Sequence, residues 1–513
     1  MKQKTNPVIY SDFPDIDVIR VQDTYYMIST TMHFMPGCDV LKSYDLMNWE
    51  FVAHVYDELE NTPSQRLDEN LNIYGKGMWA PSFRFHNGKF YICFAANDTR
   101  CTYLFTATSP DGPWEKHTID GFYHDSSLFF DDDGKVYIIY GNKTLRITEL
   151  DTDIKAPKFG GLNRVIAEDE NRIYLGFEGC HMYKYNGKYY LFSCHWLSYG
   201  TQRKSQVCFV ADSLESEFKY KTIIDDDMGF HNMGVAQGGM VDTPDGDWYA
   251  FMFQDRGAVG RVPIIMPMRM DDDFPVIESV PHVLSIPSTR PDYEYQPLNG
   301  DDDFYYKPDA DGKVTLKSFW QFNHIPKNDL WSVTERSGAF RMYSGKVCKN
   351  LVQSYNTLTQ RTIGPKSSGT ITIDGSNLKN GDYAGIAAFQ GCYGAIALTK
   401  DNGQYYLVML NKVAKNEGVS GDFDYTEPAT EHARMPLDSP IVTVMARTDF
   451  EDKKDEATFV YKDSEQWQQL GITHKLYFKL DHFTGCRFGL FLFSTEQTGG
   501  SVDFTNFKYY TRA

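Results

Sequence analysis

The sequence predicts an all-β protein in which a five-bladed β-propeller is followed by a two-sheet β-sandwich. Aromatic residues make up 15% of the chain, and 40 Gly and 22 Pro accompany them, which suits many short strands joined by turns. A length of 513 residues exceeds what one core organises and indicates two domains. The third observation is a hairpin-like pattern that recurs through the first half of the chain.

The recurring pattern is a short apolar segment that runs into a Gly or Asp turn and out into an aromatic pair. Asn-Gly or Asp-Gly between β-formers is the strongest local signal for a hairpin, because the tight turn needs positive φ. Copies that lie roughly 45 to 65 residues apart fit one four-stranded blade each. The five copies are residues 18–26, 83–91, 128–137, 182–190 and 240–249.

One polar or aromatic residue precedes each hairpin at an equivalent position. It lies eleven residues before the closing Tyr in the first copy and twelve before it in the others. The five residues are Asp15, Trp79, Asp125, Glu178 and Gln237. Because equivalent points on the innermost strands converge on the propeller axis, we expect three carboxyl groups in one cavity. Repulsion and burial would raise the pKa of one of them, as acid/base catalysis requires.

Each carboxyl group also has a plainer interpretation. Asp15 alone could be a solvated turn residue, and Asp125 could cap a strand; the shared register favours a common site. Glu178 is the natural candidate for the protonated carboxyl group, because Gly179 permits close approach by a ligand and Phe177 and Met182 lower the local dielectric constant.

Several further side chains could contact a ligand in this cavity. Trp79, with Phe34 and Trp196, could form the stacking wall of a pyranose or furanose subsite, although buried core aromatics are an equal alternative. Arg261, on the next strand of the last blade, could bond to a substrate hydroxyl or hold Asp125 ionised.

Composition excludes several classes of partner. A net charge of −18 without any Lys/Arg run argues against nucleic acid or an anionic membrane, and no segment approaches the length of a membrane span. A neutral, hydroxyl-rich ligand fits better.

Nine Cys without a CxxC pair indicate reduced thiols and a cytoplasmic location. A removed signal peptide would make a secreted or periplasmic location the alternative.

The sequence predicts no required cofactor and no metal in the site. Runs of Asp at 131–133, 225–227, 271–273 and 301–303 lack the ligand spacing of an EF-hand, although a structural calcium ion stays an alternative. The thirteen His include no HExxH motif, which argues against zinc chemistry.

The repeats stop after residue 275, and residues 287–312 have the composition of an ordered linker. Alternating segments at 368–373, 394–398, 404–410 and 440–445 predict a sandwich. We therefore expect a propeller over residues 1–300 and a sandwich over 315–513. Residues 381–389 resemble a loose dinucleotide fingerprint, but no helix pattern follows, which argues against a nucleotide site.

The propeller half contains the motifs Asn6-Pro-Val-Ile9, Phe13-Pro-Asp15, Trp79-Ala-Pro81, Asp125-Ser-Ser-Leu-Phe129, Glu178-Gly179 with His181, and Gln237-Gly-Gly-Met-Val-Asp242. Together these motifs resemble glycoside hydrolase family 43. The C-terminal segments 356–361 and 381–385 are similar to the β-sandwich of the β-xylosidase and α-L-arabinofuranosidase branch. Many members carry His where this chain has Gln237 and Pro where it has Cys180.

The resemblance implies an inverting exo-glycosidase with Asp15 as general base, Glu178 as general acid and Asp125 as the residue that tunes and orients the acid. Inversion requires the base and the acid to stand about 6.5–9.5 Å apart. The expected substrates are oligosaccharides with terminal α-L-arabinofuranose or β-D-xylose, as in arabinoxylan or xylo-oligosaccharides. The resemblance also suggests Arg261 as a family residue, and the sandwich could lend Phe483 as a rim aromatic.

Two alternatives remain at this point. A fructan-type furanosidase would show Asn-Asp-Pro-Asn and Arg-Asp-Pro segments, which the sequence lacks. A carbohydrate-binding propeller without catalysis could use the same acids and aromatic residues. The oligomeric state does not follow from the sequence.

Overall fold

A computed structural model describes residues 3–170, 175–196, 203–271, 273–414 and 425–512. In these ranges the regular structure consists of β-strands and short 3₁₀ helices, which confirms the all-β prediction. No helix in the described ranges is long and apolar enough to cross a membrane. The 3₁₀ helices are Gly257–Val259, Asn328–Leu330, Leu351–Gln353 and Glu451–Lys453.

Five antiparallel sheets form the blades of a propeller, as predicted, and each predicted hairpin supplies the two innermost strands of a blade. From the axis outward, blade 1 has strands Asp17–Val21, Thr24–Ser29, Gly37–Ser43 and Glu50–Tyr56; blade 2 has Met78–His86, Lys89–Ala96, Cys101–Ala107 and Glu115–Ile119; blade 3 has Ser127–Phe130, Val136–Asn142, Thr144–Leu150 and Asn163–Glu168; blade 4 has Phe177–Tyr185, Lys188–Trp196, Lys204–Ala211 and Lys219–Ile224; and blade 5 has Ala236–Asp242, Trp248–Asp255 and Arg261–Met268.

The hairpin turns have the backbone that their sequences demand. Asn87 and Gly88 have φ of 48° and 77°, and Asn186 and Gly187 have φ of 48° and 80°. Two successive residues with positive φ match the right-handed twist of the flanking strands.

Blade 5 departs from the expectation of four strands, because its sheet has three in the described residues. The N-terminal segment runs beside its last strand instead. The N–H groups of Val8 and Phe13 donate to the carbonyls of Pro263 and Arg261 at 3.2 and 3.0 Å, and Lys4–Thr5 pairs with Val283–Leu284. These contacts join the start of the propeller to its last blade.

Two larger sheets form the C-terminal sandwich, as predicted, and the predicted strands fall within them. The first sheet contains, in spatial order, Thr430–Leu437, Gln404–Lys412, Tyr393–Asp401, Asp382–Phe389, Arg487–Ser494, Leu358–Arg361, Gln321–Asn323 and Phe34–Met35. The second contains Trp331–Ser332, Phe340–Tyr343, Ser501–Arg512, Lys366–Asp374, Ile441–Asp449, Glu456–Asp463 and Gln466–Gln469, with His474–Lys475 paired to Glu456–Asp463.

The expectation that Phe34 forms part of a sugar-stacking wall is wrong. Phe34 lies in the edge strand Phe34–Met35, which blade 1 contributes to the sandwich by pairing with Gln321–Asn323. Its ring is buried, and the guanidinium of Arg487 lies 3.5 Å from the ring centroid. The side chain therefore packs in the interface between the two domains.

The domains share one continuous core. A single apolar cluster includes Ile264 and Val259 from the last blade and Phe488 and Leu490 from the sandwich. All nine Cys are free thiols, and eight of them are buried.

Candidate active site

A cavity of about 530 Å³ opens at one end of the propeller axis. All five blades contribute to it with the residue that the register singled out, which lies in the innermost strand of blades 2, 4 and 5 and just before that strand in blades 1 and 3. We call these five residues the floor: Asp15, Trp79, Asp125, Glu178 and Gln237.

An irregular backbone turns the floor residues toward the axis. Asp15, Asp125 and Gln237 have φ of 53°, 47° and 63°, a region that non-glycine residues seldom occupy. The ladder also shifts register between Glu178 and His181 in blade 4. Such bulges and strained residues re-aim side chains at functional sites.

Asp15 is buried and held by two side chains from blade 5. Nη1 of Arg261 lies 3.0 and 3.1 Å from the two carboxylate oxygens, and Nε2 of Gln237 donates to Oδ1 at 3.2 Å. The charge-assisted contacts of Arg261 fix the orientation of the carboxylate. Both side chains line the cavity. The ion pair of Arg261 is with Asp15, and its charge also lowers the pKa of Asp125.

Side-chain donors hold both oxygens of Glu178. Trp196 Nε1 donates to Oε1 at 2.7 Å, and Asn142 Nδ2 donates to Oε2 at 2.6 Å. The carboxyl group is buried but lines the cavity. It is therefore fixed in direction while it remains accessible to a ligand.

The surroundings of Asp125 on the floor raise its pKa. Burial, together with the nearby charges of Glu178 and Asp15, raises the pKa of Asp125 to about 7, although His124 and Arg261 oppose the shift. Protonated Asp125 is thus available near neutrality, and the expectation that Glu178 is the protonated carboxyl group stays a prediction.

His124 supplies a cation between two of the acids. Its Nε2 lies 3.6 Å from Asp125 Oδ2 and 3.6 Å from Glu178 Oε2. Burial lowers the pKa of His124, but the charge of Asp125 and the hydrogen bond and charge of Glu178 outweigh that effect and raise it to about 9. The imidazole is therefore protonated at neutral pH.

The same three side chains have the donor spacing of a cation site. Their donor atoms all lie within 4.8 Å of one another, and one nitrogen with two carboxylate oxygens is a donor set that zinc accepts. The expectation that no metal is required stays a prediction.

A loop of the sandwich covers one side of the cavity. Phe478, Lys479, Leu480 and Phe483 line it, and we call residues 478–483 the rim loop. The Phe483 ring lies 5.6 Å from the Trp79 ring, centroid to centroid, and 4.2 Å from the Arg261 guanidinium. Two half-buried aromatic rings thus face each other across the domain boundary.

Asp12 fastens the rim loop to the propeller. Its Oδ2 accepts from the Gly485 N–H at 2.7 Å, and its Oδ1 accepts from the Arg261 N–H at 2.8 Å. A Cβ at position 485 would lie 2.3 Å from the Val259 carbonyl oxygen, so only Gly permits this close approach.

Family models identify both domains. Residues 4–275 match the model of glycosyl hydrolases family 43, and residues 312–510 match the beta xylosidase C-terminal concanavalin A-like domain. The chain belongs to glycosyl hydrolase family 43. It is therefore a glycosidase with a carbohydrate substrate, which removes the alternative of a propeller that only binds carbohydrate.

Similar proteins span the whole chain. A beta-xylosidase of Formosa agariphila is 26% identical over 98% of this chain and 90% of its own length. A solved structure of a bifunctional GH43-CE protein of Bacteroides eggerthii is 39% identical, with a TM-score of 0.90, and covers all of this chain, which spans 64% of that protein. A GH43 enzyme engineered to display both endo-xylanase and exo-arabinofuranosidase activity is 27% identical, with a TM-score of 0.87 and full coverage of both chains.

Sequence reasoning missed several residues of this family 43 site, although a signal for some was present. Asn142 and Asp255 are the last residues of the second strands of blades 3 and 5, and Lys204 begins the third strand of blade 4. Trp196, the last residue of the second strand of blade 4, was expected as a stacking ring, and its indole N–H donates to Glu178. In antiparallel blades these ends lie at the same edge as the floor. Comparing the blades beyond each hairpin turn, to the end of the second strand and the start of the third, would have identified these residues. His124 lies directly before Asp125 and was visible in the motif.

Proposed function

We propose that the chain is an inverting exo-glycosidase that releases terminal α-L-arabinofuranose or β-D-xylose from oligosaccharides derived from arabinoxylan or xylan. The observation that carries this proposal is the floor, where three buried carboxyl groups from three blades line one cavity. The three carboxyl groups have different hydrogen-bond and charge partners. Different surroundings allow carboxyl groups in one site to take different roles in acid/base catalysis.

In the proposed reaction, Glu178 protonates the departing glycosidic oxygen while Asp15 takes a proton from the attacking water on the opposite face of the sugar. Arg261 and Gln237 hold Asp15 as an oriented carboxylate. Trp196 and Asn142 hold Glu178 toward the cavity. Asp125 and His124, which lie beside Glu178 and influence each other's protonation, keep a proton near Glu178 between turnovers.

The choice of a pentose rests on the relatives and on the shape of the site. Proteins named for xylosidase and arabinofuranosidase activity are similar to this chain. The rings of Trp79 and Phe483 offer apolar faces to a sugar, and the floor closes the cavity at the axis. α-L-Arabinofuranose and β-D-xylose present similar arrangements of hydroxyl groups, so one pocket can accept both.

NMR of the freshly released sugar tests the proposal. With xylobiose we expect α-xylose to appear before mutarotation, and with arabinoxylan oligosaccharides β-arabinofuranose. First appearance of β-xylose would overturn inversion, and internal cleavage of long xylans would overturn exo action. Absence of pentose release from both substrates would overturn the substrate class.

A further inference from the structure

A second polar cluster lies on the propeller axis one layer below the floor. Its carboxylate, Asp17, is fully buried and accepts from the N–H of Phe83 at 2.8 Å and from Arg84 Nη1 at 2.6 Å. Nδ1 of His181 lies 3.3 Å from its other oxygen. We call Asp17, Arg84, Ser127, His181 and Tyr183 the axial node.

The Arg84 guanidinium spans the centre of this node. Its Nη2 donates to Ser127 Oγ at 2.6 Å and lies 3.5 Å from the Met182 carbonyl oxygen. Its carbon lies 5.4 Å from the centre of the Tyr183 ring. Ser127 Oγ also accepts from the Met182 N–H at 3.0 Å.

The node reaches all five blades. Asp17, Arg84 and Ser127 belong to the innermost strands of blades 1, 2 and 3, and His181 and Tyr183 belong to that of blade 4. The fifth is joined through the Met240 N–H, which donates to the Tyr183 hydroxyl at 3.2 Å. A single planar cation with several donors suits such a centre better than an ammonium group would.

The node lies on the strands that carry the acids. Asp15 and Asp125 precede Asp17 and Ser127 by two residues, and Glu178 precedes His181 by three. The contacts of Arg84 therefore fix the relative positions of the strand segments from which Asp15, Asp125 and Glu178 project.

Arg84 itself does not line the active-site cavity. It lines a separate cavity of about 380 Å³ that also contacts Arg20, His86 and Trp248. Any effect of Arg84 on catalysis must therefore pass through other residues.

We propose that Arg84 is a positioning residue that sets the separation of Asp15 and Glu178 by tying their strands together at the axis. This inference rests on the proposed function, in which both groups act in one step across the sugar. A displacement of about 1 Å between reacting groups can cost about 100-fold in rate.

The test compares Arg84→Met, Arg84→Lys and the double variant Asp17→Asn/Arg84→Met. Arg84→Met leaves Asp17 buried without its cation, so we expect a lower Tm and a kcat on xylobiose about 10- to 100-fold lower, with KM changed less than about threefold. The double variant removes the unpaired charge, so Tm should recover while kcat stays low. Arg84→Lys keeps the charge but loses the contact to Ser127, and should be intermediate in kcat.

The nature of the leaving group supplies a readout that a purely stabilising role would not move. A dinitrophenyl pentoside needs little help from an acid, so the kcat defect of Arg84→Met should shrink on this substrate. Arg20→Met is the matched control. Arg20 lies on the same strand as Asp17 but farther from the acids, and it joins blade 1 to blade 5 through Asp242. It should lower Tm and leave kcat unchanged.

Recovery of kcat together with Tm in the double variant would overturn the proposal, as would an equal defect on both leaving groups. These outcomes are ratios to the wild type, so they are distinguishable from failure of the proposed function. That failure would appear as a wild-type protein without pentose release or as full activity in Glu178→Gln.

Discussion

The floor and the rim loop face the same cavity but are built in different ways. Five equivalent positions of a repeated unit supply the floor, and four of them, Asp15, Asp125, Glu178 and Gln237, lie at a bulge or have positive φ. The rim loop comes from another domain and reaches the cavity through docking contacts of Asp12 with Gly485 and Arg261. The bond-breaking groups thus depend on the repeat, whereas the contacts to the rest of the substrate depend on how two domains meet.

The largest effect should come from Glu178→Gln on the floor. Loss of the general acid should lower kcat on xylobiose by about 10²–10⁴-fold, because the glycosidic oxygen then leaves without a proton. The loss on a dinitrophenyl pentoside should be much smaller. Steady-state kinetics on both substrates measures the contrast, and equal losses on the two would contradict the role of Glu178.

The next effect concerns the rim. Phe483→Ala should raise KM for xylotriose about 10-fold, since a stacked aromatic contact is worth about 1 kcal/mol or more, and kcat should change little. Phe159→Ala is the control, because that ring is fully exposed on blade 3. A fall in kcat without a change in KM would show that the rim takes part in the chemical step.

A subtler change should reproduce the rim effect without touching the aromatic residue. Gly485→Ala places a Cβ 2.3 Å from the Val259 carbonyl oxygen, so the rim loop must shift, at a cost of about 1–3 kcal/mol. We expect a higher KM and a lower Tm. Gly300→Ala is the matched control, since its Cβ would meet the Phe319 ring at 3.5 Å, an ordinary contact. An unchanged KM in Gly485→Ala would show that substrate binding by the rim loop does not depend on its docking contacts.

The smallest expected effect is a pH dependence of protein stability that arises from Asp125 on the floor. The pKa of Asp125 is raised to about 7, so between pH 4 and 6 the folded protein binds a proton that the unfolded chain has released. Stability from this group therefore falls as pH rises through that window. The Tm of the wild type should fall relative to that of Asp125→Asn over this range in a thermal scan. Parallel curves would contradict the raised pKa.

The repeat made the floor predictable. Counting back from each closing Tyr was sufficient to bring Asp15, Asp125 and Glu178 to one cavity, because a radial fold converts equal sequence offsets into spatial convergence. The same logic failed for Phe34, since the short strand Phe34–Met35 leaves the repeat to join the sandwich. Asn142, which donates to Glu178, ends the second strand of blade 3, so the repeat could also have predicted its position.

The rim could not be predicted in this way. No periodicity relates residues 478–483 to the blades, and Phe483 was expected only because of the family resemblance. Lys479 and Leu480 carry no local signal for a site, because their position depends on the docking of Asp12 against Gly485. The raised pKa of Asp125 likewise depends on burial and on neighbours that a strand pattern does not specify.

The strand Phe34–Met35 has a consequence for synthesis and for engineering. Blade 1 leaves the ribosome long before Gln321–Asn323, so the nascent propeller must keep an unpaired edge until nearly two thirds of the chain has been translated. A propeller expressed without its partner would retain that open edge as a template for aggregation. Chimeras that exchange the C-terminal half should therefore carry the matching dipeptide from the donor's first blade.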